Sequence, residues 1–350
     1  MEIIDSHVHM YNAPECIDYF IKYKTKNRIS AINVACLCNL NKDMADDASQ
    51  NMIAACAKLI DRNIYAHAGL VYPSFPVPEQ LPEEYDFEEQ AKEFMEIGFD
   101  GIKMLESKPT VRKMTQLSPA DKKYDGFYSY LQENKVPIVA HVADPETFWN
   151  AKTAPEFSFK EGWFYGDGTF MKKEDLYSEI DDILEKFPDL YITFAHFYFL
   201  SADPMMANYF LDSHPNVMFD ITPGREMYEN FSLSQNIWHN LFEKYSHRIM
   251  LGTDMTSSEF QGSPSEMIGA IIRFLATTDR FEYWGFRLRG LGLSEQTVKN
   301  ICAENFKNRV SPTPRKINKA KLGQYIARHI DGVRNPVTKK YLINFAENNL

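Results

Sequence analysis

Short apolar runs rich in β-branched and aromatic residues recur along most of this 350-residue chain, each bounded by turn-forming residues. Eight of them read as strands: "IIDSHVH" from residue 3, "INVACLC" from 32, "IYAHAGL" from 64, "DGIKML" from 100, "VPIVAHV" from 136, "LYITFAHF" from 190, "VMFDIT" from 217 and "RIMLGTD" from 248. Apart from one interval of 54, their starts lie 27 to 36 residues apart, room for a strand, a helix and two loops. Helical patterns fill the gaps. Residues 83–97 stop at Gly98, Ser118 followed by Pro119 opens a helix running to about Asn134, and residues 174–187 stop before Pro188. Strand and helix in alternation predict a parallel sheet, and eight units predict a closed α/β fold, the (β/α)8 TIM barrel. An open doubly wound sheet would carry a glycine-rich phosphate loop after its first strand, where this chain has "HMYNAPEC".

The barrel is expected over residues 1–310. The 54-residue interval contains residues 144–173, an insertion after strand 5 that is too aromatic for a disordered loop and reads as a lid or a subunit contact. The tail, 311–350, opens with "SPTP", looks helical from about Lys319, and carries a charge of +6 against −16 for the rest. It reads as a basic helical extension that docks on its own chain or on a neighbouring copy, so a homodimer is a candidate assembly.

Composition narrows the function. A net charge of −10 argues against nucleic acid and against an anionic membrane surface as partners. No apolar run approaches the ~18–20 residues of a bilayer span. Met1 leads directly into a strand bearing Asp5, His7 and His9, which reads as a chain without a leader. Five cysteines, odd in number and unmatched to any zinc-ribbon spacing, read as reduced cytoplasmic thiols. The expected partner is a small-molecule substrate.

The polar residues of the strands carry the chemistry. His7 and His9 stand at i and i+2, on one strand face, with Asp5 expected on that face too. His141 ends the fifth strand, His196 the sixth and Asp254 the eighth, all where a barrel assembles its active site. Five ligand-type residues at equivalent points of four strands predict a divalent metal centre. His67 lies before its strand ends and reads as a buried structural imidazole. Asp220, near a strand end, reads as a group behind the ligands or facing substrate, and Arg225 as an anion clamp on a substrate carboxylate.

The motifs "DSHVH", "GFDGIKML", "VPIVAHVADP", "LYITFAHF", "VMFDITP" and "RIMLGTD" resemble the amidohydrolase superfamily. The likeness is greatest to its amidohydrolase-related (amidohydrolase 2) branch, which includes aminocarboxymuconate-semialdehyde decarboxylase-like enzymes and some lactonases. It covers about residues 1–310, including "ENFKNRV" at 304–310, similar to the Asn-containing closing helix of that branch. The resemblance implies His7, His9, His141 and Asp254 as ligands of one divalent metal ion, Zn²⁺ before others, with Asp254 also handling a proton. It implies His196 as a catalytic group beside the metal in single-metal members, or a ligand of a second ion in two-metal members. Lys103 sits near a lysine that is carboxylated in two-metal relatives; a role in substrate binding or a barrel ion pair is preferred. Asp5 and Asp220 are expected as supports behind the ligands. A metal-dependent hydrolase of an amide, lactone or ester, acting through metal-activated water, follows as the first reading. A non-oxidative decarboxylase of an aromatic or enoic acid is the alternative, and a non-catalytic barrel the third.

Overall fold

The structure, a computed structural model, describes residues 1–224, 226–256 and 264–350. Among these, nine strands form one sheet in which every neighbouring pair is parallel: β1 Ile4–His9, β2 Ala31–Ala35, β3 Ile64–Gly69, β4 Gly101–Ser107, β5 Ile138–Val142, β6 Ile192–Phe194, β7 Met218–Asp220, β8 Ile249–Met250 and β9 Met255–Thr256. The order β8-β7-β6-β5-β4-β3-β2-β1-β9 follows the chain around a barrel. Two backbone bonds close the ring: Ser6 N–H donates to the Leu251 carbonyl at 3.0 Å, and Asp254 N–H donates to the His7 carbonyl at 2.9 Å. The fold is the (β/α)8 barrel. Its eighth strand is split, because "RIMLGTD" turns through Asp254 (φ 57°) before β9 resumes against β1.

The barrel floor is a small apolar plug. Ile4, Ala31, Tyr65, Met218 and Met250, from the early parts of five strands, pack with Ala303 and Phe306 of the segment that closes the barrel. Asn305 in that segment donates to the carbonyls of Ser246 and Ile249, both at 2.7 Å, fixing the entry to β8. The larger core lies between strands and helices.

Several elements differ in detail from expectation. The helix expected over 83–97 begins at Phe87, where Asp86 accepts the Glu89 N–H, and ends at left-handed Gly98 (φ 109°). The helix expected from Ser118 spans only Asp125–Glu133, because Ser118 and Asp121 each close a local turn, accepting from Ala120 and Lys123. An antiparallel hairpin, Arg280–Tyr283 with Phe286–Arg289, was not anticipated. Its Trp284-Gly285 turn places both residues at positive φ, matching the twist of a two-residue hairpin.

Residues 144–173 follow β5 as a turn at Glu146–Trp149 and a short helix at Glu156–Lys160. Ring contacts within the segment, Trp149 with Tyr165 and Phe159 with Phe164, give it its own structure. The tail forms helices Lys319–His329 and Pro336–Asn349, whose Leu322 and Leu342 are fully buried. Its cations meet acids of the same chain, Lys321 with Glu96 at 2.6 Å and Arg328 with Glu93. All five cysteines are buried and free. Among the described residues, no helix is long and apolar enough to cross a membrane.

Candidate metal centre and active site

The first strand is not a simple alternation. Asp5 pairs with Ile32 and Val8 with Val34, so three steps on β1 oppose two on β2. The extra residue is a bulge, and a bulge reverses the alternation of side chains. Asp5 therefore does not share the face of His7 and His9, contrary to expectation. Its carboxylate accepts from Tyr23 Oη (2.7 Å) on the first helix, from Thr253 Oγ1 (2.6 Å) and N (3.0 Å), and from the His7 backbone N–H (3.3 Å). It holds the backbone under the histidines and touches neither ring. Asn33 donates to the Ser6 carbonyl within the bulge at 2.9 Å.

Hydrogen-bond partners set the two imidazoles. His9 Nδ1 lies 2.6 Å from the Ala35 carbonyl, which can only accept, so Nδ1 carries the proton. His7 Nδ1 donates to Asp220 Oδ2 at 2.9 Å. Both Nε2 atoms thus offer lone pairs, and both face Asp254 Oδ1, at 2.9 Å from His9 and 3.9 Å from His7. A lone pair and a carboxylate oxygen at 2.9 Å need a shared cation or proton between them. These three atoms form the one group of ligand atoms among the described residues that could hold a metal ion, all within 4.8 Å of one another. The donor set, two neutral imidazoles and a carboxylate, suits a borderline divalent ion.

Asp220 organises the region. Its second oxygen accepts the backbone N–H of His196 (2.9 Å) and of Thr222 (3.0 Å). Burial alone would raise this carboxyl; the His7 hydrogen bond and nearby imidazoles bring it below the usual range. Asp254 is likewise held well below that range, its burial outweighed by His9, His196 and His7. Burial and the charge of Lys103 lower His7 to about 4.

His196 opens a rare backbone feature. His196, Phe197, Tyr198 and Phe199 all have positive φ, between 49° and 55°. Four left-handed non-glycine residues in a row cost about 1–2 kcal/mol each. Aromatic packing holds the turn: Phe197 meets Phe219, Phe231, Trp238 and Phe242, and Tyr198 packs on Phe194 and Phe210. His196 Nδ1 donates to the Thr222 carbonyl at 3.2 Å, its Nε2 has no hydrogen-bond partner among the described residues, and its ring stacks on Phe199.

His141 is not brought into the triangle. It lies one ring away, 4.8 Å between centroids from His196, with Nε2 turned to Asp144 Oδ1 at 3.2 Å. Asp144 pulls it there as the hub of a buried knot, accepting from Lys108 (2.7 and 3.0 Å) and from Tyr165 Oη (2.6 Å) of the insertion. Burial and Lys108 lower His141 to about 3. Lys103 projects from β4 with Nζ 3.3 Å from His7 Nε2; burial lowers it to about 8, partly offset by Asp220 and Asp254. His67 is buried beside Gly101, outside the triangle, donating from Nδ1 to Asn33 Oδ1 at 2.7 Å. Arg225 lies outside the described residues. Sequence reading missed Lys108, Asp144, Tyr165 and Thr222. Asp144 was visible as the acid in "AHVADP", three residues past His141.

A (β/α)8 barrel with a His-His-Asp cluster at its C-terminal rim defines a barrel enzyme of the metal-dependent kind. The chain belongs to the amidohydrolase family: the family model described as Amidohydrolase matches residues 4–305. That is a family of enzymes, which removes the non-catalytic reading. Comparison with curated proteins returned no match. Among solved structures, the chain is similar to 4-oxalomesaconate hydratase from Rhodopseudomonas palustris (15% identity, 93% of this chain and 98% of that one, TM-score 0.56). It is similar to a probable 2-pyrone-4,6-dicarboxylic acid hydrolase from Acinetobacter baumannii with citric acid bound (11%, 89% and 99%, 0.53). A third is a dihydroxybenzoic acid decarboxylase from Polaromonas sp. JS666 with bound manganese (14%, 88% and 96%, 0.51). At these identities the likeness is one of fold.

Proposed function

We propose that this protein is a metal-dependent hydrolase acting on an amide, lactone or ester of a small carboxylate-bearing molecule, with Zn²⁺ as the first-choice ion. The observation that carries the reading is the convergence of His7 Nε2, His9 Nε2 and Asp254 Oδ1 beside His196, whose Nε2 has no hydrogen-bond partner among the described residues. A bound divalent ion supplies Lewis acidity and lowers the pKa of water at such a site. The protein's own groups do the rest. Asp254, with 31% of its side chain exposed, is the member of the triangle most open to the mouth and stays ionised, so it can accept a proton and return it to a leaving group. His196 Nε2 stands ready to stabilise developing charge. Lys103, a buried cation 3.3 Å from His7 Nε2, favours an anionic substrate.

A non-oxidative decarboxylase is the second reading. Tyr11, stacked against His9, and Phe199, stacked against His196, flank the site with rings that suit a flat aromatic acid. The test is a product assay on the metal-loaded protein. Acid release from lactones, esters or amides is expected, and carbon dioxide release alone from aromatic and enoic acids would replace the first reading by the second. Metal analysis of freshly purified protein accompanies it, reading zinc against manganese; no tightly bound divalent metal would overturn both.

A further inference from the structure

Apolar side chains crowd one part of the outer surface. Among the described residues eleven large apolar side chains are left exposed, and five of them, Met205, Met206, Tyr209, Leu233 and Ile237, fall between residues 205 and 237. Met205 is 82% exposed, Leu233 78%, Tyr209 66% and Ile237 55%. Apolar residues exposed singly are ordinary, whereas a contiguous group marks an interaction surface.

Contiguity follows from how two helices lie. Pro204–Ser213 and Gln235–Lys244 are outer helices of consecutive barrel units and so run parallel. Their C-terminal ends are clasped: Lys244 donates to Asp212 and to Asn208, each at 2.9 Å, and Tyr245 Oη donates to Asp212 at 2.7 Å. Two helical turns before Asp212 and Lys244, on the same stripes, stand Met205 and Ile237. These two therefore lie side by side at the other end of the pair. Tyr209 is one turn along from Met205, and Leu233 stands where the chain enters the helix of Ile237.

The flanks of this apolar band are charged, with opposite signs. On one side Met206 lines a cleft with Glu174 and Asp181 of the helix Lys173–Lys186, and neither acid has an ion pair among the described residues. On the other side Leu233 lines a groove with Arg280, Arg287 and Arg289 of the hairpin. Arg287 pairs with Glu282 at 3.3 Å, while Arg280 and Arg289 have no ion pair among the described residues. Ser232 holds the hairpin against the band, its Oγ accepting the Arg289 N–H at 3.0 Å.

We propose that this face docks on a second copy of the same chain, in an isologous dimer whose two-fold axis runs along the apolar band. Rotation about that axis exchanges the flanks, so the acidic flank of each copy meets the basic flank of the other. The apolar bands meet each other, and every charge pairing occurs twice. Charge is what selects this occupant. A partner of one sign, or an anionic membrane, would be repelled by one of the two flanks, whereas a second copy satisfies both. The basic tail, expected as a contact surface, spends Lys321 and Arg328 on acids of its own chain.

The test reads mass by sedimentation velocity on the metal-loaded full chain. Wild type is expected as a dimer at about 10 μM, and Ile237→Lys as a monomer, its dissociation constant raised at least about tenfold. Met205→Lys puts the same question at a more exposed position if Ile237→Lys folds poorly. Two charge-reversed chains, Glu174→Lys/Asp181→Lys and Arg280→Glu/Arg289→Glu, test the flanks; all four positions are exposed, so the fold is kept. Each reversed chain alone sets like charges against like and should be monomeric. Mixed one to one, the two should form a heterodimer. A monomeric wild type, a wild-type dimer in both Ile237→Lys and Met205→Lys, a dimer of either reversed chain alone, or a monomeric mixture would each overturn the proposal. Mass is read without turnover, so the outcome stands apart from the hydrolase reading.

Discussion

A single carboxylate, that of Asp220, holds both His7 and His196: Oδ2 accepts the His7 Nδ1 proton at 2.9 Å while Oδ1 accepts the His196 backbone N–H at 2.9 Å. The first fixes a tautomer and the second a strand end. In Asp220→Asn the amide can donate to His7 Nδ1 and move the ring proton to Nε2, the atom that faces Asp254. Metal affinity should fall about 10–100-fold, the usual loss for such a supporting partner, as read by chelator competition. Unchanged affinity would show that Thr222 Oγ1, 3.3 Å from the same nitrogen, is enough to set the ring.

Metal removal should lower thermal stability. A ligand present at 100 times its dissociation constant stabilises by about 2.7 kcal/mol. Chelation followed by metal return should therefore lower and then restore Tm in wild type. His9→Ala should show neither change; a full metal-dependent Tm shift in that variant would place the ion elsewhere.

Gly252 is pressed into the centre. A Cβ there would lie 2.4 Å from Thr222 Oγ1 and 2.9 Å from His7 Cβ. Gly252→Ala should cost about 1–3 kcal/mol in urea unfolding, the range for overpacking, and weaken metal binding by displacing His7. Wild-type values for both would show that β8 can shift without moving the site.

His67 should make stability pH-dependent. Burial, with the charge of Lys58, lowers it to about 3, and its buried Nε2 has no partner among the described residues. An unfolded histidine titrates near pH 6.5, so between the two values the unfolded chain binds more protons and stability rises with pH. The contribution is complete above about pH 6.5 and is lost as pH falls through the window, at up to about 1.4 kcal/mol per pH unit. His67→Asn, which keeps a donor towards Asn33, should flatten the pH dependence of the urea midpoint by about one proton. An unchanged slope would assign the dependence to other groups.

Tyr165 ties the insertion to the site through Asp144. Tyr165→Phe should speed hydrogen exchange across residues 144–173 while leaving the barrel strands unaffected, with a local loss of about 1.5–3 kcal/mol for a bond to a charged group. Wild-type exchange in the segment would mean that its ring contacts hold it without the clasp.

The barrel and the rim positions of His7, His9, His196 and Asp254 were legible because strand rhythm and ionisable residues at strand ends are properties of local sequence. What escaped depended on register and on competition between neighbours. The bulge in β1 turned Asp5 over; β1 is buried along its whole length, so no polar and apolar alternation betrayed the slip. His141 met an acid three residues on, in a knot completed by Lys108, just past β4, and by Tyr165 of the insertion. The hairpin was signalled by Trp284-Gly285 but lacked the usual Asn-Gly or Asp-Gly pair.

The left-handed turn at 196–199 ties the fate of the catalytic rim to the barrel's outer shell. Nothing in the local sequence prefers that conformation; the packing of Phe197 and Tyr198 against distant rings works with the Asp220 bond to the His196 N–H to keep His196 in place. Gentle heating should therefore silence the enzyme before it melts, with activity decaying while helical content is still intact. Substitutions at Phe242 or Trp238, buried on the helix Gln235–Lys244 outside the sheet, should act like damage to the site itself.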